Sequence, residues 1–252
     1  MRRCLKKFFL IRVLFFSKQL PSSLAKMALL WLGVSLYFIV QAPEDYQQKI
    51  AVKMLYVHVP FAWLGLLFYL FLCLASVALL WKRACLFLFI FKASAVVGGF
   101  FTFLTLATGA AWGRISWGVW WVWDARLTSM LLLFVIYCGI LSLSAAFEEP
   151  KKGAYAAAIL SLFGFIDLPI IKYSVQWWHT LHQPASLFRM QGSAIDAALL
   201  KPLFFVAIGF LSLASYFFII WTRIFYLQHK QRRAERNFAR TAYVKNFTGE
   251  KL

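Results

Sequence analysis

The sequence predicts an all-α, polytopic membrane protein with six transmembrane helices, and three observations carry that expectation. The chain of 252 residues is 62% hydrophobic and only 14% charged, whereas a soluble domain is nearer half apolar and about a quarter charged. Its mean hydropathy is +0.72. Its apolar residues fall into six runs, each close to the roughly 20 residues that cross a bilayer.

The six runs are 22–41, 54–81, 93–111, 128–147, 154–171 and 202–221. The second is long enough to tilt or protrude. The fifth contains Asp167 and Pro169 near its end. Lys and Arg concentrate in the segments that face the cytoplasm. Placing both termini inside puts 20 of the 27 basic residues on the cytoplasmic side and seven outside. Both termini are therefore expected to be cytoplasmic.

The net charge of +18 could signal a nucleic-acid partner. The basic residues instead lie in separate short inner segments, not on one folded face, so no nucleic acid is expected. Residues 1–21 mix basic and apolar side chains and read as a basic N-terminal segment that lies at the membrane interface. Residues 22–226 form the membrane domain, and 227–252 a basic cytoplasmic tail that extends the last helix and frays. Membrane lipid is the first partner. Cys4, Cys73, Cys85 and Cys138 form neither a CxxC nor a CxxCH pattern, so covalent haem attachment and a cysteine metal cage are not expected.

This topology leaves the candidate chemistry to the outer segments, 42–53, 112–127 and 172–201. The loop at 112–128 carries five of the 11 tryptophans, Trp112, Trp117, Trp120, Trp121 and Trp123. Tryptophan also forms belts at membrane interfaces, but belts are spread over many helix ends. Indoles gathered in one loop suit a large flat apolar ligand. Asp124 and Arg126 follow them. They make either a structural ion pair or, with Arg114, a contact for an anionic group. Thr128 is the expected cap of the fourth helix.

Three of the four histidines, His58, His179 and His182, fall on the same outer side, and His229 falls in the tail. His179 and His182, three residues apart, would share a helical face and so form half of a zinc site. Zinc wants three or four ligands, and the carboxylates nearby in sequence are only Asp167 and Asp196. Haem fits better. Its iron takes axial histidines and its ring wants an aromatic shelf.

The run Trp117-Gly118-Val119-Trp120-Trp121-Val122-Trp123-Asp124-Ala125-Arg126 resembles the tryptophan-rich WWD signature of haem-handling membrane proteins, which include CcmC, CcmF and CcsA. The six-helix length and the stretches around Tyr56–Pro60 and 177–183 resemble CcmC in particular. The likeness runs from about Ala42 to about Lys201. It implies a non-enzymatic, haem-handling component of c-type cytochrome maturation. Such a component would hold non-covalent haem b at the periplasmic face of the bacterial inner membrane, or in the mitochondrial inner membrane. It implies that His58 and His182 are the axial ligands of the haem iron and that Trp117, Gly118, Trp120, Trp121, Trp123, Asp124 and Arg126 form the WWD loop. Arg114 is a further candidate for a propionate. The implied partners are a periplasmic haem chaperone of the CcmE kind and ABC-type transporter subunits of the CcmA and CcmB kind. His179 falls outside the family's ligand pattern and is the rival of His182. The alternatives are a structural membrane subunit that docks these partners without ligating haem, and a channel. A channel would need polar residues along several helices, and the spans offer mainly Asp167.

Overall fold

The computed structural model describes residues 17, 19–46, 48–178, 180–182 and 195–248. They form seven α-helices: α1 (Gln19–Gln41), α2 (Leu55–Lys82), α3 (Cys85–Trp117), α4 (Ala125–Ala145), α5 (Pro150–Gly164), α6 (Asp167–Trp177) and α7 (Ala197–Thr248). A short 3-10 turn, Ile50–Met54, leads into α2. Counting α5 with α6 as one crossing, six segments are long and apolar enough to span a membrane. Of the segment 1–21, expected to lie at the interface, residues 1–16 and 18 are outside the described residues and 19–21 open α1.

Helices α2 and α3 make the central antiparallel pair. Arg83 turns the chain between them: it takes a left-handed conformation (φ 49°) and donates its N–H to the Leu79 carbonyl. Such a cap satisfies carbonyls left over at a helix end. Helices α4 and α5 pack on one flank, and α7 on the other, with α1 against α7. The core lies where α2, α3, α4 and α5 meet, around Tyr69, Leu72, Phe91, Leu133, Tyr137 and Ala157. Several polar groups inside it are paired. Tyr137 donates to the Gly65 carbonyl at 2.9 Å, Tyr69 to the Ser161 carbonyl at 2.9 Å, and the Ser76 and Ser161 hydroxyls lie 2.7 Å apart. Apolar surroundings cannot solvate such groups, so each must find a partner within the fold.

Three helices depart from the sequence expectation. Helix α3 runs six residues past the expected end at 111, and Gly118 (φ 78°) stops it in a left-handed conformation that a side chain would resist. The fifth crossing is broken at Phe165 and Ile166. Pro169 has no N–H for the Phe165 carbonyl four residues back and clashes with it, and the Leu168 N–H takes that carbonyl instead, at 3.2 Å. The last helix starts at Ala197, capped by Asp196, whose carboxylate accepts the Ala198 N–H at 2.7 Å. It continues unbroken to Thr248 in place of the expected 202–221 with a fraying tail.

Candidate functional site

The end of the bundle where α2 begins, α3 ends, α4 begins and α6 ends carries the residues that the sequence singles out. His58 sits in the first turns of α2, beside Pro60. Its Nδ1 lies 3.2 Å from the Thr108 hydroxyl of α3. That hydroxyl has one hydrogen, which points to the Leu104 carbonyl at 2.7 Å. Toward His58 it can only accept. The proton of the neutral ring therefore lies on Nδ1, and Nε2 presents a lone pair.

The α3 face is shaped for this ring. Gly109 lies beneath it: a Cβ at 109 would come 2.9 Å from His58 Cε1. Trp112, one turn beyond Thr108, meets the imidazole edge-on at 5.6 Å. Its indole N–H donates to Gln48 Oε1 at 3.0 Å, which ties α3 to the loop before α2.

His182 is held in the same way by different chemistry. Its Nδ1 lies 3.1 Å from Asp124 Oδ2. The other oxygen of that carboxylate accepts the Leu127 N–H at 2.8 Å and caps α4. A carboxylate can only accept, so the Nδ1 of His182 carries its proton and Nε2 is again the lone-pair nitrogen. Burial pulls the His182 pKa below the ordinary 6.5, and the hydrogen bond and charge of Asp124 oppose that shift. Trp117, in the last turn of α3, meets the ring edge-on at 4.9 Å. His58, His182 and Arg126 are close enough for their charges to interact. Two neutral imidazoles, from separate stretches of chain, thus share one end of the bundle with their Nδ1 atoms occupied.

Several buried donors around them have no partner among the described residues: Trp121 Nε1, Arg126 Nε and the Thr180 hydroxyl. Among the described residues Arg126 makes one weak bond, from Nη2 to the Lys172 carbonyl at 3.4 Å. Buried donors left over in this way are rare in folded proteins. They suit an anionic ligand group. Arg114 is used differently. It is exposed, and its guanidinium donates to the Gly118 carbonyl across the turn that ends α3. Thr128 is not the cap of α4; Asp124 is, because the helix begins three residues earlier than expected. The 112–128 segment is a loop only from Gly118 to Asp124, so Trp112 and Trp117 project from a helix.

The tryptophans divide into two sets. Trp112 and Trp117 face the histidines. Trp120 and Trp123 are 61% and 75% exposed, with Trp121 packed edge-on against Trp123 at 5.5 Å. Trp177 and Trp178, half exposed, extend this aromatic surface from the end of α6. His179 and residues 183–194 are outside the described residues. Sequence reasoning passed over Thr108, Gly109 and Gln48. The signal for the first was available: Thr108 and Trp112 stand one helical turn apart and share a face once α3 is read through to residue 117.

Known proteins resemble the chain over most of its length. Heme exporter protein C of Bradyrhizobium diazoefficiens is 49% identical over 187 residues, covering 74% of this chain and 71% of the relative. The Haemophilus influenzae protein of the same name is 42% identical over 213 residues, covering 83% and 85%. A putative cytochrome c biosynthesis ccmC-like mitochondrial protein of Marchantia polymorpha is 44% identical over 195 residues, covering 76% and 82%. The family model for heme exporter protein C matches residues 11–237, and the chain belongs to that family, CcmC.

Proposed function

We propose that this protein binds haem as cargo between His58 and His182 and presents it for c-type cytochrome maturation. The single observation that carries the reading is the matched state of the two rings: each has its Nδ1–H committed to an acceptor, Thr108 or Asp124. That arrangement fixes the tautomer and orientation of a metal-binding histidine and leaves Nε2 for the metal. An iron porphyrin supplies the axial positions for two such nitrogens. Trp112 and Trp117 wall the rings with apolar surface. Arg126, Trp121 and Thr180 offer the unpartnered donors that carboxylate side groups of haem would take. No CxxCH is present in the sequence, so the haem is held without a covalent bond to this chain.

Names of the relatives place them in haem export and cytochrome c biosynthesis, and the same role is proposed here. The site end would face the periplasm, or the equivalent side of the mitochondrial inner membrane, with both termini in the cytoplasm, as the bias of Lys and Arg toward the opposite end supports. The exposed Trp120, Trp123, Trp177 and Trp178 form the surface on which a haem chaperone of the CcmE kind would dock, aromatic side chains being favoured at interface centres. ABC-type subunits of the CcmA and CcmB kind would complete the assembly. The chain handles and transfers haem and performs no bond-making of its own.

The test is the absorbance spectrum of the detergent-purified protein. Wild type should carry a six-coordinate, low-spin haem, and both His58→Ala and His182→Ala should lose that signature. Wild-type spectra in both variants, with loss in His179→Ala, would overturn the ligand assignment. Haem-free wild-type protein that still captures the chaperone would leave only the structural docking role.

A further inference from the structure

We infer that Asp124 makes His182 the more electron-rich of two unequal haem ligands, and that this inequality favours the oxidised iron. The inference rests on the haem reading above. The two rings are oriented alike, but their acceptors differ in charge. His58 donates to a neutral hydroxyl at 3.2 Å, and that hydroxyl has already given its own hydrogen to Leu104. His182 donates to a carboxylate at 3.1 Å whose side chain is 5% exposed.

A hydrogen bond to an ionised acceptor is roughly twice as strong as a neutral one. It draws the Nδ1 proton toward the oxygen and raises the basicity of Nε2, as second-sphere carboxylates do for metal-bound histidines. A more basic ligand donates more strongly to iron(III) than to iron(II). The charge of Asp124 acts in the same direction. The iron(III) porphyrin core carries one more positive charge than iron(II), and a nearby anion stabilises it in a site of low dielectric.

Asp124 cannot turn away from this task. Its other oxygen is fixed by the Leu127 N–H at 2.8 Å, at the first turn of α4, so capping the helix and aiming the carboxylate at His182 are one geometric act. The opposing charge is Arg126. It reaches both imidazoles and shifts the iron without distinguishing its two ligands, whereas Asp124 touches only one. Asp124 acts through His182 and is a positioning residue. The electron concerned is the single one of the iron(III)/iron(II) couple, and no other bond changes.

The experiment is a potentiometric titration of the full chain in detergent, with haem as purified, using dithionite as reductant and ferricyanide as oxidant. Asp124→Asn removes the charge and leaves one acceptor oxygen for two donors, the Leu127 N–H and the His182 Nδ1–H, whereas Asp124→Glu keeps the charge and both oxygens. The midpoint potential of Asp124→Asn should rise above that of wild type, with the six-coordinate, low-spin spectrum retained. Thr108→Val, at the other ligand, should shift the potential less. If Asp124→Asn loses the low-spin spectrum, Asp124→Glu should restore both spectrum and potential. Coincident potentials in Asp124→Asn and wild type, a larger shift in Thr108→Val, or a failed rescue by Glu overturns the inference and leaves the haem reading intact. Wild type without a haem spectrum overturns the haem reading itself.

Discussion

Replacing Gly109 with alanine should loosen haem without unfolding the protein. The added Cβ would lie 2.9 Å from His58 Cε1 and 3.4 Å from Nδ1. Carbon atoms pack best at about 3.5–4.0 Å, so the ring must retreat by roughly 0.6 Å or more. The Nδ1 to Thr108 distance of 3.2 Å is already at the long edge of an N–H to O bond, and such a retreat breaks it. The lost bond costs about 0.5–1.5 kcal/mol, and crowding a packed site costs about 1–3 kcal/mol. Alanine returns up to about 1 kcal/mol through its preference for helix over glycine. The net cost of roughly 0.5–3.5 kcal/mol lowers the thermal midpoint without abolishing the fold, and the misplaced ring loses affinity. A loss near 1.4–2.8 kcal/mol corresponds to about a ten- to hundredfold weaker Kd. Haem titration of the apoprotein, followed by absorbance, reads the affinity, and thermal unfolding reads the fold. Gly139→Ala is the control, since its Cβ would make an ordinary 3.6 Å contact with Leu160. Equal haem affinity in Gly109→Ala and Gly139→Ala would refute the reasoning that α3 shapes the seat of His58.

Two further outcomes are expected. His182 has a folded pKa below its ordinary 6.5, so its neutral form is favoured in the fold; its contribution to stability is complete above about pH 6.5 and declines as pH falls below that value. Thermal midpoints measured from pH 8 to 5 should show this slope in the apoprotein, and His182→Asn should make it shallower. Asp167 is 4% exposed and neither carboxylate oxygen has a partner among the described residues. A buried polar group without a partner costs free energy, so Asp167→Leu should stabilise the fold by about 1 kcal/mol or more and raise the midpoint; a lowered midpoint would refute this account.

Much of the architecture is legible in the sequence because bilayer thickness sets the length of an apolar run. The second and fourth runs, 54–81 and 128–147, match α2 and α4 within a few residues. The end of α3 was harder to read. Trp112, Arg114 and Ser116 look like a loop by polarity, but at a membrane surface water solvates such side chains while the backbone stays helical. The break in the fifth crossing was signalled by Pro169, whose effect falls four residues upstream. His58, His182 and Asp124 stand out in the sequence as residue types. Their connection does not, because the contacts run from position 58 to 108 and from 124 to 182, and a pattern within one stretch of chain cannot express a pairing between two. Thr108 looks like an ordinary helix threonine until His58 is placed beside it.

The length of α7 has a mechanical meaning. Its 52 residues make a rod of about 78 Å, more than twice the hydrocarbon thickness. Near one tip, Leu199, Leu203 and Val206 are wedged against Tyr56, with Val59 and Trp112 packed on the same cluster; near the other, the arginines of the tail stand clear of the bundle. Pro202 is its one proline. The near tip thus packs on the same cluster as Trp112, the indole that meets His58 edge-on, so one continuous helix joins the basic tail to the neighbourhood of that ring.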